Sequence, residues 1–169
     1  MAHRGYIGID NGNTGSIGWI KDGVHGMIET PVKVEQSYTK KAQKMTRIDH
    51  VRLAELFREV QGDCDPSEVF VILERPLTNN KFGSAVVSAA RAFEVTRCLV
   101  EQAHFAYEIV DSKQWQKKLL PYGIKGSDNL KSASKDIGLR LFPDLEGVIK
   151  KHKDSDGLLI AEWARREQL

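Results

Sequence analysis

A chain of 169 residues, 41% hydrophobic and 28% charged, can bury one ordinary core, which excludes a disordered tail. No apolar run approaches the ~20 residues of a spanning helix, and the opening MAHRGYIGID has no signal-peptide core; the expectation is a cytoplasmic protein without a membrane partner. A formal net charge of +2 does not by itself announce nucleic acid, and Cys64 and Cys98, in no metal-ligand spacing, read as free thiols rather than a zinc site.

There are no repeats and no linker, so residues 1–169 read as a single domain. Strands are predicted at 5–10, 15–21 and 24–30, with the turn signal KDG between the second and third. A polar, basic loop is expected from about Pro31 to Ile48. DHVRLAELFREVQG reads as a helix, with Val51, Leu53, Leu56, Phe57 and Val60 at helical spacing, Asp49 as N-cap and Gly62 as stop. EVFVILE, 68–74, is an apolar strand ended by an acid and then Pro76. The small-residue-rich helix at 84–103 is expected to be either a dimer contact or simply buried. FAYEIV is a further strand, and SKQWQKKLL a short helix stopped by Pro121. SDNLKSASKDIGLRLF reads as a helix with Leu130, Ala133, Ile137 and Leu141 on one side, and a last helix starts near Asp154. Three antiparallel strands followed by two parallel ones give an α/β fold: a mixed five-stranded sheet with helices on both faces.

Three acids stand at element ends. Asp10 closes the first strand and Glu74 the fourth. If these strands are parallel neighbours, the two carboxylates meet, and such a pair needs a shared proton or a cation. A hard divalent ion with oxygen ligands fits best. Asp156 precedes Leu159, Ile160 and Trp163 at spacings that place it on the inward face of the last helix. Asp154 is either a helix cap or a further inward acid. Cations cluster at Lys33, Lys40, Lys41, Lys44 and Arg47, at Lys113, Lys117, Lys118, Lys125, Lys131 and Lys135, and at Lys150, Lys151 and Lys153. Each cluster is either a solvated face or a phosphate track.

GIDNGNTGSIGW, the later VILERP and the closing KDSDGLLIAEWARR resemble the Holliday junction resolvases of the RuvC type, most of all the small bacteriophage versions, in order and over nearly the whole chain. The resemblance implies a ribonuclease H-like fold and a homodimeric crossover junction endodeoxyribonuclease. Such an enzyme nicks four-way DNA symmetrically, in recombination or repair, and leaves 5′-phosphates. It implies Mg2+ or Mn2+, two ions per active site, held by Asp10, Glu74 and Asp156. The fourth position departs from the family pattern: Asp154 is the first choice, with His152 the rival and Lys153 a further auxiliary. Lys40, Lys41, Lys44, Lys81, Lys113, Lys117 and Lys118 are the DNA-binding candidates. Leu77 and Phe82 are the nearest candidates for a junction wedge. A phage-encoded protein would act in the host cytoplasm.

Three rivals remain at this point. The glycine-rich hairpin also suits the phosphate-binding turn of actin and sugar-kinase-like ATPases, although the chain is short for two ATP-clamping halves and has no Walker-type loop. A non-catalytic junction binder would keep the basic clusters, but acids beside phosphates repel DNA unless metals intervene. A nuclease with a broader branched, flap or hybrid substrate shares every feature above.

Overall fold

The computed structural model describes residues 3–36, 43–76 and 83–169. In chain order these form β1 (Gly5–Ile9), β2 (Ser16–Lys21), β3 (Val24–Glu29), β4 (Val32–Gln36), β5 (Lys44–Ile48), α1 (His50–Gln61), β6 (Val69–Glu74), α2 (Gly83–Gln102), β7 (Ala106–Val110), α3 (Ser112–Leu119), α4 (Ser127–Leu141), the single turn α5 (Glu146–Ile149) and α6 (Asp156–Glu167). The main sheet runs β3-β2-β1-β6-β7. β1, β2 and β3 pair antiparallel, and β6 pairs parallel with both β1 and β7. No helix among the described residues is long and apolar enough to cross a membrane.

Alternation along the central strands divides the core into two layers. Ile7, Ile9, Val69, Val71 and Leu73 pack beneath α1 and α2, with Leu53, Phe57, Ala92 and Val100. Tyr6, Ile20, Ile72 and Val110 face the other way, onto Trp115 and the apolar run Leu158–Ala161 of α6. α1 begins on the Asp49 side chain, which accepts from Arg52 N, and stops at Gly62 with φ 57°.

The segment expected as a loop from 31 to 48 instead contains a second, two-stranded sheet, with Val32 opposite Ile48 and Val34 opposite Thr46. Its alternating V-K-V-E pattern is the strand signal, masked by the surrounding charges. Those charges also pair locally: Glu35 lies 3.1 Å from Lys33 and 2.8 Å from Arg47. The structure also sharpens the reading of three helices. α4 turns the expected Leu130, Ala133 and Ile137 to the core that contains α6, with Ser134 and Gly138 buried beside them, while Leu141, expected on the same side, is exposed. α6 begins at Asp156, with Ser155 as its cap, so Asp154 lies before the helix. α2 buries one narrow stripe, Ala92, Thr96 and Val100, and is not a covered core helix.

Candidate active site

Asp10 follows β1 directly, and Glu74 is the last residue of β6. The parallel register continues Ile9 opposite Leu73, so the two carboxylates emerge side by side at one sheet edge. The turn after Asp10 is closed by Asp10 N donating to Ser16 O and Gly15 N donating to Gly12 O. Gly12 takes φ 135°, which a side chain would resist. At Gly15 a Cβ would lie 2.0 Å from the Asp10 carbonyl oxygen. Asn11 donates to Ala89 O, and Asn13 donates to Thr46 O and Ser88 Oγ, tying this turn to α2 and β5.

α6 brings the other acids. Its first turns lie almost on the strand backbones, because Gly8 and Gly18, opposite one another in the sheet, form a trough without side chains. A Cβ at Gly8 would fall 2.2 Å from Gly157 O, and one at Gly18 would fall 2.3 Å from Leu158 Cα. Ser16 Oγ accepts from Gly157 N at 3.0 Å, satisfying one of the free amides at the helix start. The approach to α6 is fixed from α4: Ser134 Oγ accepts from Ser155 N, Ser155 Oγ donates to Ser134 O at 2.6 Å, and the absence of a side chain at Gly138 admits Ser155.

As a result Asp10, Asp154 and Asp156 each offer a carboxylate oxygen, all within 4.8 Å of one another. Glu74 stands beside this trio. Its Oε2 accepts from Trp115 Nε1 at 2.7 Å. α3 sets that contact: Asp111 caps the helix by accepting from Lys113 N, and Trp115 follows one turn later. Neither Trp115 nor the glycine trough is foreseen in the sequence reading, although a lone aromatic in the polar SKQWQKK was a signal for the first.

Of the three candidates for the fourth position, Asp154 is in the cluster as a carboxylate and is 1% exposed. His152 is buried, with Nδ1 lying 2.9 Å from the Asp154 carbonyl oxygen and 3.5 Å from Oδ1. The Lys153 ammonium lies 3.6 Å from Asp154 Oδ2 and 4.0 Å from Asp10 Oδ2. Lys44, Lys113 and Lys117 are exposed, while Lys118 pairs with Glu167 at 3.3 Å, at the far end of α6. Lys40, Lys41, Lys81, Leu77 and Phe82 lie outside the described residues.

The cluster is electrostatically loaded. Burial, then Glu74 and Asp154, push the Asp10 carboxyl up to about 7. Burial also raises Glu74 to about 7, with Asp156, Asp111 and Asp154 adding to it against the Trp115 hydrogen bond. Burial, Asp154 and Asp10 raise Asp156 to about 7. Burial works against Asp154 as well, but the His152 hydrogen bond and Lys153 hold it below the usual carboxylate range. An all-oxygen donor set whose members resist ionisation together fits a hard divalent cation.

The sign of the resulting pH dependence follows. Asp10, Glu74 and Asp156 keep protons to about pH 7 when folded and release them near 4 when unfolded. The stability this confers is complete below the unfolded value and is lost as pH rises through the folded one. His152, raised by its hydrogen bond with Asp154, adds in the same direction. Metal-free protein is therefore expected to lose about 5 °C or more in Tm between pH 5.5 and 8, at roughly 2–4 °C per kcal/mol. Mg2+ or Mn2+ should restore more of it at pH 8 than at pH 5.5. Scanning calorimetry checks this, and a Tm independent of both pH and metal would contradict it.

No family model and no curated protein matches the sequence. Solved structures do match. RuvC of T. thermophilus in complex with a Holliday junction substrate aligns over 98% of this chain and 96% of that one, at 13% identity and a TM-score of 0.55. A structure of Thermus thermophilus RuvC aligns over 96% of each chain at 16% identity, with a TM-score of 0.48. With its mixed five-stranded sheet and flanking helices, the chain has the ribonuclease H-like fold of RuvC.

Proposed function

We propose that this chain, as a single nuclease domain over 1–169, is a metal-dependent endodeoxyribonuclease that resolves four-way DNA junctions by paired nicks, acting as a homodimer in the cytoplasm. The observation that carries the reading is the meeting of Asp10, Asp154 and Asp156, with Glu74 beside them, at the strand ends of a RuvC-type sheet. A bound Mg2+ or Mn2+ would activate water and neutralise charge on the scissile phosphate.

The chain's own residues do the positioning. Asp10, Asp154 and Asp156 supply the ligand oxygens, and Trp115 fixes the rotamer of Glu74 at the edge of the trio. The Ser16 bond and the glycine trough hold the start of α6, and with it Asp156, against the sheet. Hydrolysis with 5′-phosphate products needs no covalent enzyme intermediate, so the side chains bind, orient and neutralise. Lys113 and Lys117, exposed on the helix that carries Trp115, would be the side chains that meet DNA backbone. Lys118 is already paired with Glu167 and contributes less.

The test is incubation of the end-labelled four-way junction, a Y-fork and a linear duplex with Mg2+, Mn2+ or EDTA. Paired metal-dependent nicks confined to the junction support the reading. Equal cutting of the fork keeps the nuclease and widens its substrate. Junction binding without cutting in either metal replaces it with a binding module, and no DNA binding at all redirects attention to ATP hydrolysis. Binding should also weaken steeply with salt, since each phosphate contact contributes about one unit to the slope of log K against log salt. A Lys113→Gln/Lys117→Gln double variant is expected to flatten that slope by about two, measured by fluorescence anisotropy. An unchanged slope would remove both lysines from the interface.

A further inference from the structure

The Lys153 ammonium bears on how many ions this site takes. It approaches oxygens of Asp10 and Asp154, which are two of the three carboxylates whose ligand atoms converge. Lys153 belongs to no helix or strand, is 37% exposed, and stands immediately before Asp154, so its stem reaches the cluster from the solvent side. The other basic side chain at this point, His152, is buried and engaged with the Asp154 main chain. Among the described residues, the remaining charges facing the cluster are carboxylates: Glu74, Asp156 and, through Glu74, Asp111.

A primary ammonium and a hard divalent cation make the same demand on carboxylates. Both take several oxygen neighbours at short range, the ammonium as three hydrogen bonds and the metal as coordinate bonds. An ammonium seated against Asp10 Oδ2 and Asp154 Oδ2 takes up the two oxygens on which a second divalent ion would have to rest. We propose that the Lys153 ammonium occupies one cation position of this site, across Asp10 and Asp154, so that each active site takes one divalent ion rather than two. This rests on the nuclease reading above. The lysine then serves as a tethered positive charge that neutralises phosphate oxygen, and the remaining oxygens of Asp10, Asp154 and Asp156 hold the single ion.

The experiment counts Mn2+ bound per chain. The electron paramagnetic resonance signal of free Mn2+ is followed in titrations of wild type, Lys153→Met and Lys153→Arg. Each is bound to a four-way junction with phosphorothioate linkages at the crossover to suppress cutting, and ions bound by the DNA alone are subtracted. Circular dichroism confirms that each variant is folded; Lys153 is exposed enough for methionine to be tolerated. One ion per wild-type chain, two per Lys153→Met chain, and one again for Lys153→Arg is the expected result. Two ions on the wild type, or one on both wild type and Lys153→Met, overturns the proposal while leaving the nuclease intact. No ion on any of the three overturns the metal-nuclease reading and the proposal with it.

Discussion

Asp10→Asn is expected to abolish junction cleavage while leaving junction binding intact and raising the Tm of the metal-free protein. Asp10 joins the strand ends to the rest of the cluster: it follows β1 beside Glu74, its oxygen is in the trio with Asp154 and Asp156, and the Lys153 ammonium lies 4.0 Å from it. Loss of one ligand oxygen removes several kcal/mol of transition-state stabilisation, so the cleavage rate should fall about 10³-fold or more. The amide keeps the size of the carboxylate and cannot ionise. Because burial and neighbouring carboxylates already push Asp10 up to about 7, removing its charge relieves repulsion at pH 8. An activity lost through misfolding would lower the Tm instead, so nuclease assay and calorimetry on the same preparation separate the two causes. Retained cleavage would exclude Asp10 from the site.

Gly8→Ala should be among the most damaging additions of a single methyl group to the described residues. The new Cβ would lie 2.2 Å from Gly157 O and 2.4 Å from Ala161 N, both main-chain atoms of α6 that no rotamer change can move. Either the helix lifts from the sheet or β1 bows away. The cost is expected at about 3 kcal/mol or more, a fall of about 10 °C in Tm for a chain of this length. Gly147→Ala is the matched control, since a Cβ there meets nothing within 4 Å and lies in a helical turn, where alanine is favoured. Thermal denaturation of both variants decides it. Equal Tm values would mean that α6 can slide on β1 at little cost, and the placement of Asp156 would then need another explanation.

Much of this arrangement was legible in the residues. The apolar runs in GYIGI and VFVIL identify strands, and the break after each leaves Asp10 and Glu74 at the strand ends. Asp49 and Gly62 mark α1 by their capping chemistry. What periodicity cannot supply is register. The glycine trough exists only because Gly8 falls opposite Gly18, a pairing set by the length of the turn between them. The β4–β5 hairpin was hidden because Lys33, Glu35 and Arg47 look like loop charges until Glu35 is seen to pair with Lys33 along β4 and with Arg47 across to β5. The contact of Trp115 with Glu74 depends on how α3 packs, which no local pattern encodes. Lys118 could not be told from Lys117 as a DNA candidate without Glu167 in view.

The glycine trough also has a kinetic consequence. The oxygens that converge come from the turn after the first strand and from residues 154–156 at the start of the last helix, so no local segment holds all three. Bringing those parts together closes one of the longest loops in the chain, the slowest kind of step for a domain to complete. A folding intermediate, or a molecule whose α6 has opened locally, therefore contains intact strands and no metal-binding trio. Under the proposed nuclease reading this would be a safeguard: hydrolytic capacity would appear only with the finished domain, and amide exchange in α6 should report the same opening event that would release a bound metal.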